Sequence, residues 1–462
     1  MSNRIWPAAP LLMAMPAAAL GQHDHHHHDP GATMAVADTA RPAPHSMWMR
    51  SLGRGYHLMG MAQVFPVATT GTLRRGDAGS RARGFYATQP VAMINVSSPG
   101  SRVVFRTTLD LEGITIPDGE LTFGGWGEGF LDSRHPHTLV HEAMFSVNLW
   151  RGPLGGSGSI SFGKGFVPYG TDDPMSRPVL KYPSNHHLSQ ILERWTVNGQ
   201  YLTRNGWGFE AAVFGGDEPD GPYDFSNISS FGDSWAVRLS KRFGADGPFA
   251  PWEISASYAR VAEAHHQRKE VTRLHNVAVR HSRRYQFGDL YALAEGSVSR
   301  PASGDGDYAF LAEVRLDLGK ERRHQPYGRI EVSTRPEYAR LGAPGTPDFF
   351  RYDHDAHSIG ATRWVIASLG YGREITALPV SVRPFAELQY HRVGAARGDV
   401  QPGVLFGRNS FWSLSTGFRI FLGGGPMRMG SYGVLDPMSA AMSVSHRQLR
   451  PEGPDLHPGR TP

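Results

Sequence analysis

Alternation of apolar and polar residues with a period of two runs through most of this 462-residue chain and restricts its fold more than any other feature. Between residues 308 and 318, one phase is entirely apolar, whereas the other phase carries Glu313, Arg315 and Asp317. The same alternation recurs in the segments that begin at Trp195, Trp235 and Trp252. Strict alternation indicates a strand with one apolar and one polar face. The pattern therefore predicts an all-β protein.

Composition excludes several classes of protein. The chain has no cysteine, which rules out a disulfide framework, a thiolate metal site and a cysteine nucleophile. Its 55 glycines and 34 prolines suit many short strands joined by turns. The net charge is only +5 and the basic residues are scattered, which argues against a nucleic-acid partner. After the N-terminal region, no run of about 18 apolar residues remains, so a helical membrane protein is excluded.

The connections between candidate strands alternate between short and long. The sequence predicts about sixteen strands, within a range of roughly 12 to 18. They lie near residues 56–66, 84–96, 102–112, 138–150, 158–166, 192–203, 206–215, 233–243, 252–262, 270–282, 286–299, 307–318, 326–338, 359–373, 381–392 and 409–422. Short turns are expected at 97–100, 152–157, 205–206 and 283–284, and longer segments at 113–137, 167–191, 216–232, 339–358 and 393–408. Short turns on one side and long loops on the other are typical of outer-membrane barrels.

Tryptophan placement and the last strand favour the same architecture. Trp150, Trp207 and Trp252 are predicted at short-turn ends, and Trp195, Trp235 and Trp412 at long-loop ends, which suggests two aromatic girdles. Trp364 fits neither girdle. Residues 415–422 resemble the signal by which the barrel-assembly machinery recognises outer-membrane barrels. These features together predict a transmembrane antiparallel β-barrel, with its apolar face toward lipid and its charges toward the lumen.

The chain divides into four expected regions. Residues 1–21 read as a signal peptide, with a basic start, a short apolar run and small residues at the cleavage position. Residues 22–50 form a His-rich tail expected to be disordered, and residues 51–424 form the barrel. Residues 425–462, rich in Gly, Pro and Met, are expected to be irregular and periplasmic. This organisation predicts the cell outer membrane as the location, with outer-membrane lipid as a partner.

Histidine is abundant, with 22 residues, and supplies the candidate metal ligands. The candidates are His25, His26, His27 and His28 in the tail, and His135, His137, His186 and His187 in two long loops. Neutral imidazoles suit divalent copper, nickel or zinc. Two alternatives stand beside a metal site in the loops: solvated surface histidines, and a clamp in which Glu218 and Asp220 help to join the loops.

The sequence assigns no catalytic residue. The run of residues 155–159 is a tight turn and not a nucleophile elbow. His141 and Glu142 are the one pair that could serve a hydrolase at the barrel rim, although alternation places Glu142 in the lumen and His141 on the apolar face. The predicted lumen carries both signs of charge. Its members are Glu142, Arg194, Glu210, Arg238, Arg242, Glu253, Glu313, Arg315, Asp317, Arg329, Glu331, Glu387, His391 and Arg419.

Several stretches resemble a family of poorly characterised Gram-negative outer-membrane β-barrels that are often found near metal-resistance genes. The stretches are Tyr56-His57-Leu58-Met59-Gly60, Asp132-Ser133-Arg134-His135-Pro136-His137, Met175-Ser176-Arg177-Pro178, His186-His187, and Phe214-Gly215-Gly216-Asp217-Glu218-Pro219-Asp220 with Asp224-Phe225. The resemblance implies the barrel fold and the outer-membrane location, and it suggests a link to metals without implying an activity.

Three functions are therefore open at the level of the sequence. A pore-like or metal-linked barrel comes first, a structural or surface-binding barrel without conductance second, and a rim-site hydrolase third. The charged lumen supports the first of them, because such a lining either hydrates a pore or closes it through ion pairs between strands.

Overall fold

The computed structural model describes most of the chain between residues 48 and 436. The described ranges are 48–75, 80–115, 138–151, 156–177, 188–219, 221–224, 226–243, 251–265, 268–302, 304–339, 358–377, 380–423 and 428–436. The predicted signal peptide and all eight histidines proposed as metal ligands lie outside these ranges.

Strands dominate the described residues. They are β1 (Trp48–Gly53), β2 (Tyr56–Arg75), β3 (Ser80–Ser97), β4 (Val103–Asp110), β5 (Val140–Arg151), β6 (Ser157–Gly165), β7 (Arg194–Leu202), β8 (Trp207–Gly215), β9 (Phe231–Phe243), β10 (Trp252–His265), β11 (Arg268–Tyr285), β12 (Gly288–Pro301), β13 (Asp307–Leu318), β14 (His324–Tyr338), β15 (Ser358–Arg373), β16 (Ile375–Ala377), β17 (Val380–Gly398) and β18 (Ser410–Leu422). The helices are α1 (Glu112–Thr115) and α2 (Pro402–Phe406), with 3-10 turns at Pro99–Ser101, Pro174–Ser176, Ser226–Ser230 and Gly433–Leu435. No helix in the described part of the chain is long and apolar enough to cross a membrane.

The strands close into a barrel. All of the pairings between neighbouring strands are antiparallel, and β18 pairs with β2 from Ser413 opposite Gly71 to Leu422 opposite Ala62. Among the described residues, sixteen strands form the ring: β2 to β15, β17 and β18. The two short strands lengthen existing rows, because β1 pairs with the first residues of β2 and β16 continues the line of β15 along β17. The predicted barrel of about sixteen strands is confirmed.

The two faces of each strand meet different environments. In β18, Trp412, Leu414 and Phe418 are 47%, 47% and 50% exposed, whereas the intervening Ser413 and Ser415 are 2% and 1% exposed. The same division holds around the ring, with apolar side chains outside and mostly polar or charged side chains inside. An apolar outer surface is stable only in contact with lipid, and a closed ring leaves no strand edge unpaired there. The predicted inversion, with charges in the lumen, is therefore confirmed.

The connections follow the predicted alternation, with two corrections. Strand β11 continues through Arg283 and Arg284, which were expected to form a turn, and the turn lies at residues 286–287. The strand persists because Arg284 lies opposite Asp289 and pairs with it at 3.2 Å. Strand β17 extends to Gly398, so the long segment expected from residue 393 begins later.

The ends of the barrel also differ from the expected boundaries. Strand β1 begins at Trp48, within the segment expected to be a tail. The backbone N–H of Trp48 donates to the carbonyl of Gly423 at 3.1 Å. This contact joins the start of the fold to the end of β18. Residues 428–436, placed in an irregular periplasmic tail by the sequence analysis, are irregular but lie buried inside the barrel.

Candidate functional site: the lumen

The lumen is lined by the inward-facing residues of the strands, and most of them are polar. Glu142, Glu313, Arg329, Glu387 and His391 are each 3% exposed or less. They belong to the set that alternation placed in the lumen, and the remaining members are also buried or nearly so. Charges at such depth need partners, because an isolated buried charge is costly. Ion pairs between neighbouring strands accordingly line the lumen, such as Arg329 of β14 with Glu313 of β13 at 2.6 Å.

Residues 166–177, which we call the inward loop, fold from the end of β6 into the barrel. Every residue of this loop is buried. It reaches the opposite wall, where Arg177 pairs with Glu295 of β12 at 2.9 Å and the Gly170 N–H donates to Ser257 of β10 at 2.9 Å. Burial opposes the charge of Arg177, but nearby Glu295 and other groups outweigh it and raise the pKa of the guanidinium above its ordinary value. The loop is therefore fixed across the lumen.

Residues 428–436, which we call the C-terminal plug, also lie inside the barrel. Met429, Tyr432 and Leu435 are 3%, 2% and 1% exposed. Arg238 of β9 donates to the Gly430 carbonyl at 2.8 Å and to the Ser431 hydroxyl at 2.6 Å. The plug is therefore held by the barrel wall and also by the inward loop. The Asp173 N–H of the loop donates to the Met429 carbonyl of the plug at 3.1 Å.

Arg428 makes two ion pairs from the plug. Its guanidinium pairs with Asp172 of the inward loop at 3.0 Å and with Glu253 of β10 at 2.6 Å. Arg280 of β11 pairs with the same two carboxylates at 2.6 and 3.6 Å. Burial disfavours the charge on Arg428, but Asp172 and Glu253 outweigh it and raise the pKa of this arginine. One network therefore joins the plug, the inward loop and the barrel wall.

Little space remains around this network. The cavity between Arg238, Glu253, Arg428 and Leu435 measures about 20 Å³, which is room for about one water molecule. The plug and the inward loop therefore leave almost no free space around this network.

Tyr432 fixes the other side of the plug. Its hydroxyl donates to Glu142 of β5 at 2.8 Å and accepts from the Phe166 N–H at 3.0 Å. Burial, reinforced by the neighbouring Glu142, raises the pKa of this phenol well above its ordinary value, so it stays a neutral donor. Close by, Asp436 at the end of the plug forms an ion pair with Arg106 of β4. Arg106 in turn lies 5.7 Å from the centre of the Tyr432 ring.

His141 lies inside the barrel wall rather than on the apolar face predicted for it. The reason is a bulge: Thr108 of β4 lies opposite Glu142, and Leu109 lies opposite Val140, which leaves His141 as the extra residue. A bulge rotates the strand, so that adjacent residues can face the same side. His141 and Glu142 are both 0% exposed.

The neighbours of His141 indicate a structural clamp. Its Nδ1 lies 2.9 Å from Oε1 of Glu193, and its Nε2 lies 3.7 Å from Oδ2 of Asp173 in the inward loop. The same Glu193 oxygen accepts the backbone N–H of Thr138 at 2.9 Å. Because His141, Asp173 and Glu193 are at most 1% exposed, a substrate has no access to them. This arrangement holds the inward loop to β5 and gives no support to a hydrolase at the rim.

A second region of charge lies on the wall formed by β17 and β18. Arg383 and Arg419 are directly opposite each other across β17 and β18, and both face the lumen. Their guanidiniums lie 5.0 and 5.5 Å from the centre of the Phe421 ring between them. Glu374 pairs with Arg383 at 2.8 Å. Like charges directly opposite in a sheet are unfavourable, so this wall retains a costly concentration of positive charge.

Four of the six tryptophans assigned to the two girdles face outward, and Trp195 is half-buried. Trp207, Trp235, Trp252 and Trp412 lie on the outer surface, with exposures of 38% to 47%. Trp364, which fitted neither girdle, faces inward and is 1% exposed. Its indole donates to Thr362 at 2.8 Å, and the Arg335 guanidinium lies 4.9 Å from its ring.

Alternation along the strands predicted the residues of the lumen wall but not the residues that fill the lumen. Asp172, Arg428 and Tyr432 were not singled out, because no local pattern predicts that a loop and a tail enter a barrel. The Met175–Pro178 motif was a signal, since Arg177 within it anchors the inward loop. Of the proposed clamp residues, Glu218 does pair with Arg194 at 2.9 Å, whereas Asp220 lies outside the described residues. The described residues contain no group of three or more His, Asp or Glu that could hold a metal.

Comparison with known proteins finds likeness only among solved structures. No family model and no curated protein matches the chain. An anion-selective porin from Comamonas acidovorans is 9% identical, with a TM-score of 0.46, over 79% of this chain and 100% of its own. Salmonella typhi OmpF in complex with daunomycin is 12% identical, with a TM-score of 0.44, over 80% and 98%. The outer membrane channel DcaP of Acinetobacter baumannii is 11% identical, with a TM-score of 0.44, over 80% and 99%.

The location follows from the barrel itself. A closed antiparallel ring with an apolar exterior and a charged interior is the architecture of proteins that cross a membrane with strands, and such barrels occur in outer membranes. The chain is an outer-membrane β-barrel with a pore-like interior.

Proposed function

We propose that the protein is an outer-membrane channel whose lumen is restricted by the C-terminal plug and the inward loop, and which conducts small ions when the plug leaves its site. The observation that carries this proposal is the position of Arg428, which pairs with Asp172 of the inward loop and Glu253 of the wall. The contact joins three separate segments at one point. Its loss would therefore remove one ion pair between the plug and each of these two neighbours.

The chemistry of the contact suits a plug that can leave. The plug is held largely by ion pairs and hydrogen bonds from Arg238, Arg428 and Tyr432. Charged groups regain their hydration when such contacts break, so the net free energy of docking is much smaller than the sum of the contacts. A plug held by apolar packing alone would gain no such compensation from water.

Conductance in planar lipid bilayers tests the proposal. We expect the wild-type protein to show a low conductance. The Arg428→Gln variant should raise the mean conductance by up to about tenfold, the change that about 1.4 kcal/mol produces in an equilibrium. Tyr432→Phe should raise it less, because it removes one hydrogen bond and keeps the ring.

Arg323→Gln is the matched control. The Arg323 side chain is 47% exposed in the turn between β13 and β14 and pairs with Glu321 at 2.7 Å. Its replacement should leave the conductance unchanged. Equal conductance in wild type and Arg428→Gln would refute the role of the plug. Absence of conductance from all the variants, with folded barrels, would support a structural barrel instead.

A further inference from the structure

Methionine is confined to one part of the barrel. The methionines of the described residues are Met49, Met59, Met61, Met93, Met144, Met175 and Met429, and all of them belong to one cluster. The sequence contains no methionine between residues 176 and 426. The other apolar clusters inside the barrel are built from aromatic and aliphatic residues. Methionine has therefore been concentrated here rather than used throughout the interior.

Four of these residues form a continuous row, which we call the methionine ladder: Met49, Met59, Met61 and Met93. Met49 of β1 lies directly opposite Met59 of β2, and Met61 of β2 lies directly opposite Met93 of β3. Met59 and Met61 are two residues apart on one strand and therefore share a face. Directly opposite residues in an antiparallel pair have Cβ atoms about 4.5–5.5 Å apart. The four side chains therefore start from neighbouring positions on the inner wall.

The ladder lies near the short-turn end of the barrel, close to the turn at residues 54–55 that joins β1 to β2. Met59 and Met93 are buried, at 2% and 1% exposure, whereas Met49 and Met61 are half-buried. Two of the side chains are therefore partly accessible, and two are fully buried. Met429 of the C-terminal plug packs in the same cluster.

Thioether sulfur is a soft ligand that selects monovalent copper over the harder divalent ions. From the ladder geometry, we propose that Met49, Met59, Met61 and Met93 form a binding site for a soft monovalent metal ion, Cu⁺ or its analogue Ag⁺, on the lumen wall. The competing explanation is that methionine fills an irregular gap between the wall and the inward segments, since its unbranched side chain adapts to such gaps. The two explanations differ in what happens when sulfur is removed at constant volume.

Titration with Ag⁺ tests the site, because silver does not change oxidation state in the experiment. The full chain in detergent is labelled with ¹³C at the methionine methyl groups and followed by NMR. We expect the signals of the ladder to shift and saturate at about one ion per chain. The triple variant Met59→Leu, Met61→Leu, Met93→Leu nearly preserves side-chain volume and should weaken binding at least tenfold.

Met144→Leu is the matched control, because Met144 belongs to the same cluster but lies on β5, outside the ladder. It should bind silver as the wild type does. Circular dichroism of each variant reports whether the barrel is intact. Unchanged affinity in the folded triple variant, or an equal loss in Met144→Leu, would overturn the proposal.

Acidity separates the ladder from the histidines elsewhere in the chain. Imidazoles, with an ordinary pKa near 6.5, take up protons and release metals below about pH 6. Thioethers have no proton to gain in this range. Silver binding by the ladder should therefore persist at pH 5, and loss of all silver binding at pH 5 would assign the metal to histidine.

Discussion

Arg315 and Val314 are neighbours in β13, but they face opposite environments. Arg315 points into the lumen and pairs with Asp317 at 2.7 Å, whereas Val314 is 42% exposed on the outer surface. We expect Arg315→Glu to shift the ion selectivity of the channel toward cations, measured as a change in reversal potential across a salt gradient. Its effect on insertion should be small, because the lumen already accommodates both signs of charge.

Val314→Lys is the contrasting change. It places a charge on the lipid-facing side and should impair insertion by about 2–4 kcal/mol if the position is near the membrane centre. The yield of folded protein in the membrane fraction measures this effect. Equal tolerance of both substitutions would show that the strand faces the other way.

Glu193 holds a left-handed backbone conformation, with φ of 60°, that is unusual for a residue with a side chain. Its carboxylate accepts from the Thr138 N–H and lies against His141, each at 2.9 Å. We expect Glu193→Ala to destabilise the barrel by about 1–3 kcal/mol for each buried group left without its hydrogen bond. Thermal unfolding followed by circular dichroism measures this loss. Glu193→Gln keeps an acceptor oxygen and should cost less; an equal cost would point to charge rather than hydrogen bonding.

At the scale of elements, docking of the plug should resist mild acid. Burial acts to raise the pKa of Asp172, but Arg280 and Arg428 outweigh it and hold the pKa below its ordinary value. A lowered carboxyl pKa stabilises the folded contact at all pH values above the ordinary value, near 3.9, and that stability is lost as the pH falls through the lowered value. Conductance should therefore be constant from pH 7 to about pH 4.5 and rise only in stronger acid. A rise near pH 6 would assign control to histidine.

The His-rich tail is a second element with its own prediction. Purified protein should bind Cu²⁺ or Ni²⁺ through residues 23–28, with an affinity that falls below about pH 6 as the imidazoles are protonated. Calorimetry on the full chain and on a chain that begins at Arg41 measures the contribution of the tail. Equal binding by both would show that the tail is not needed. Metal retained by the shorter chain would instead favour the loop ligands His135, His137, His186 and His187.

The strands were predictable because the outer face of each one had to be apolar, so that a period of two was imposed along the sequence. The bulge at His141 was not predictable, because an extra residue in one strand is defined only by the register with the neighbouring strand. The C-terminal plug was not predictable either. Its contacts join Arg428 to Asp172 and Glu253, which are far apart in the chain, and its own sequence has no period.

For the whole molecule, the closed ring and its outer surface predict where the protein is found. Fractionated cells should contain it in the outer membrane, and detergent-solubilised protein should show a β-type circular dichroism spectrum. The physical reason is that exposed residues such as Phe85, at 80%, and Leu369, at 69%, would be in water in a soluble monomer. Recovery of a soluble periplasmic monomer would contradict the barrel.

The plug also has a consequence for how the lumen responds to other molecules. Residues 428–436 follow strand β18, which ends at Leu422, after only a short stretch of chain. A ligand tethered so closely to its receptor is present at an effective concentration in the millimolar range, however dilute the protein. A free peptide of the same sequence at micromolar concentration would therefore compete poorly with it. Occupancy of the lumen should be independent of protein concentration and should be set by the sequence of the plug itself.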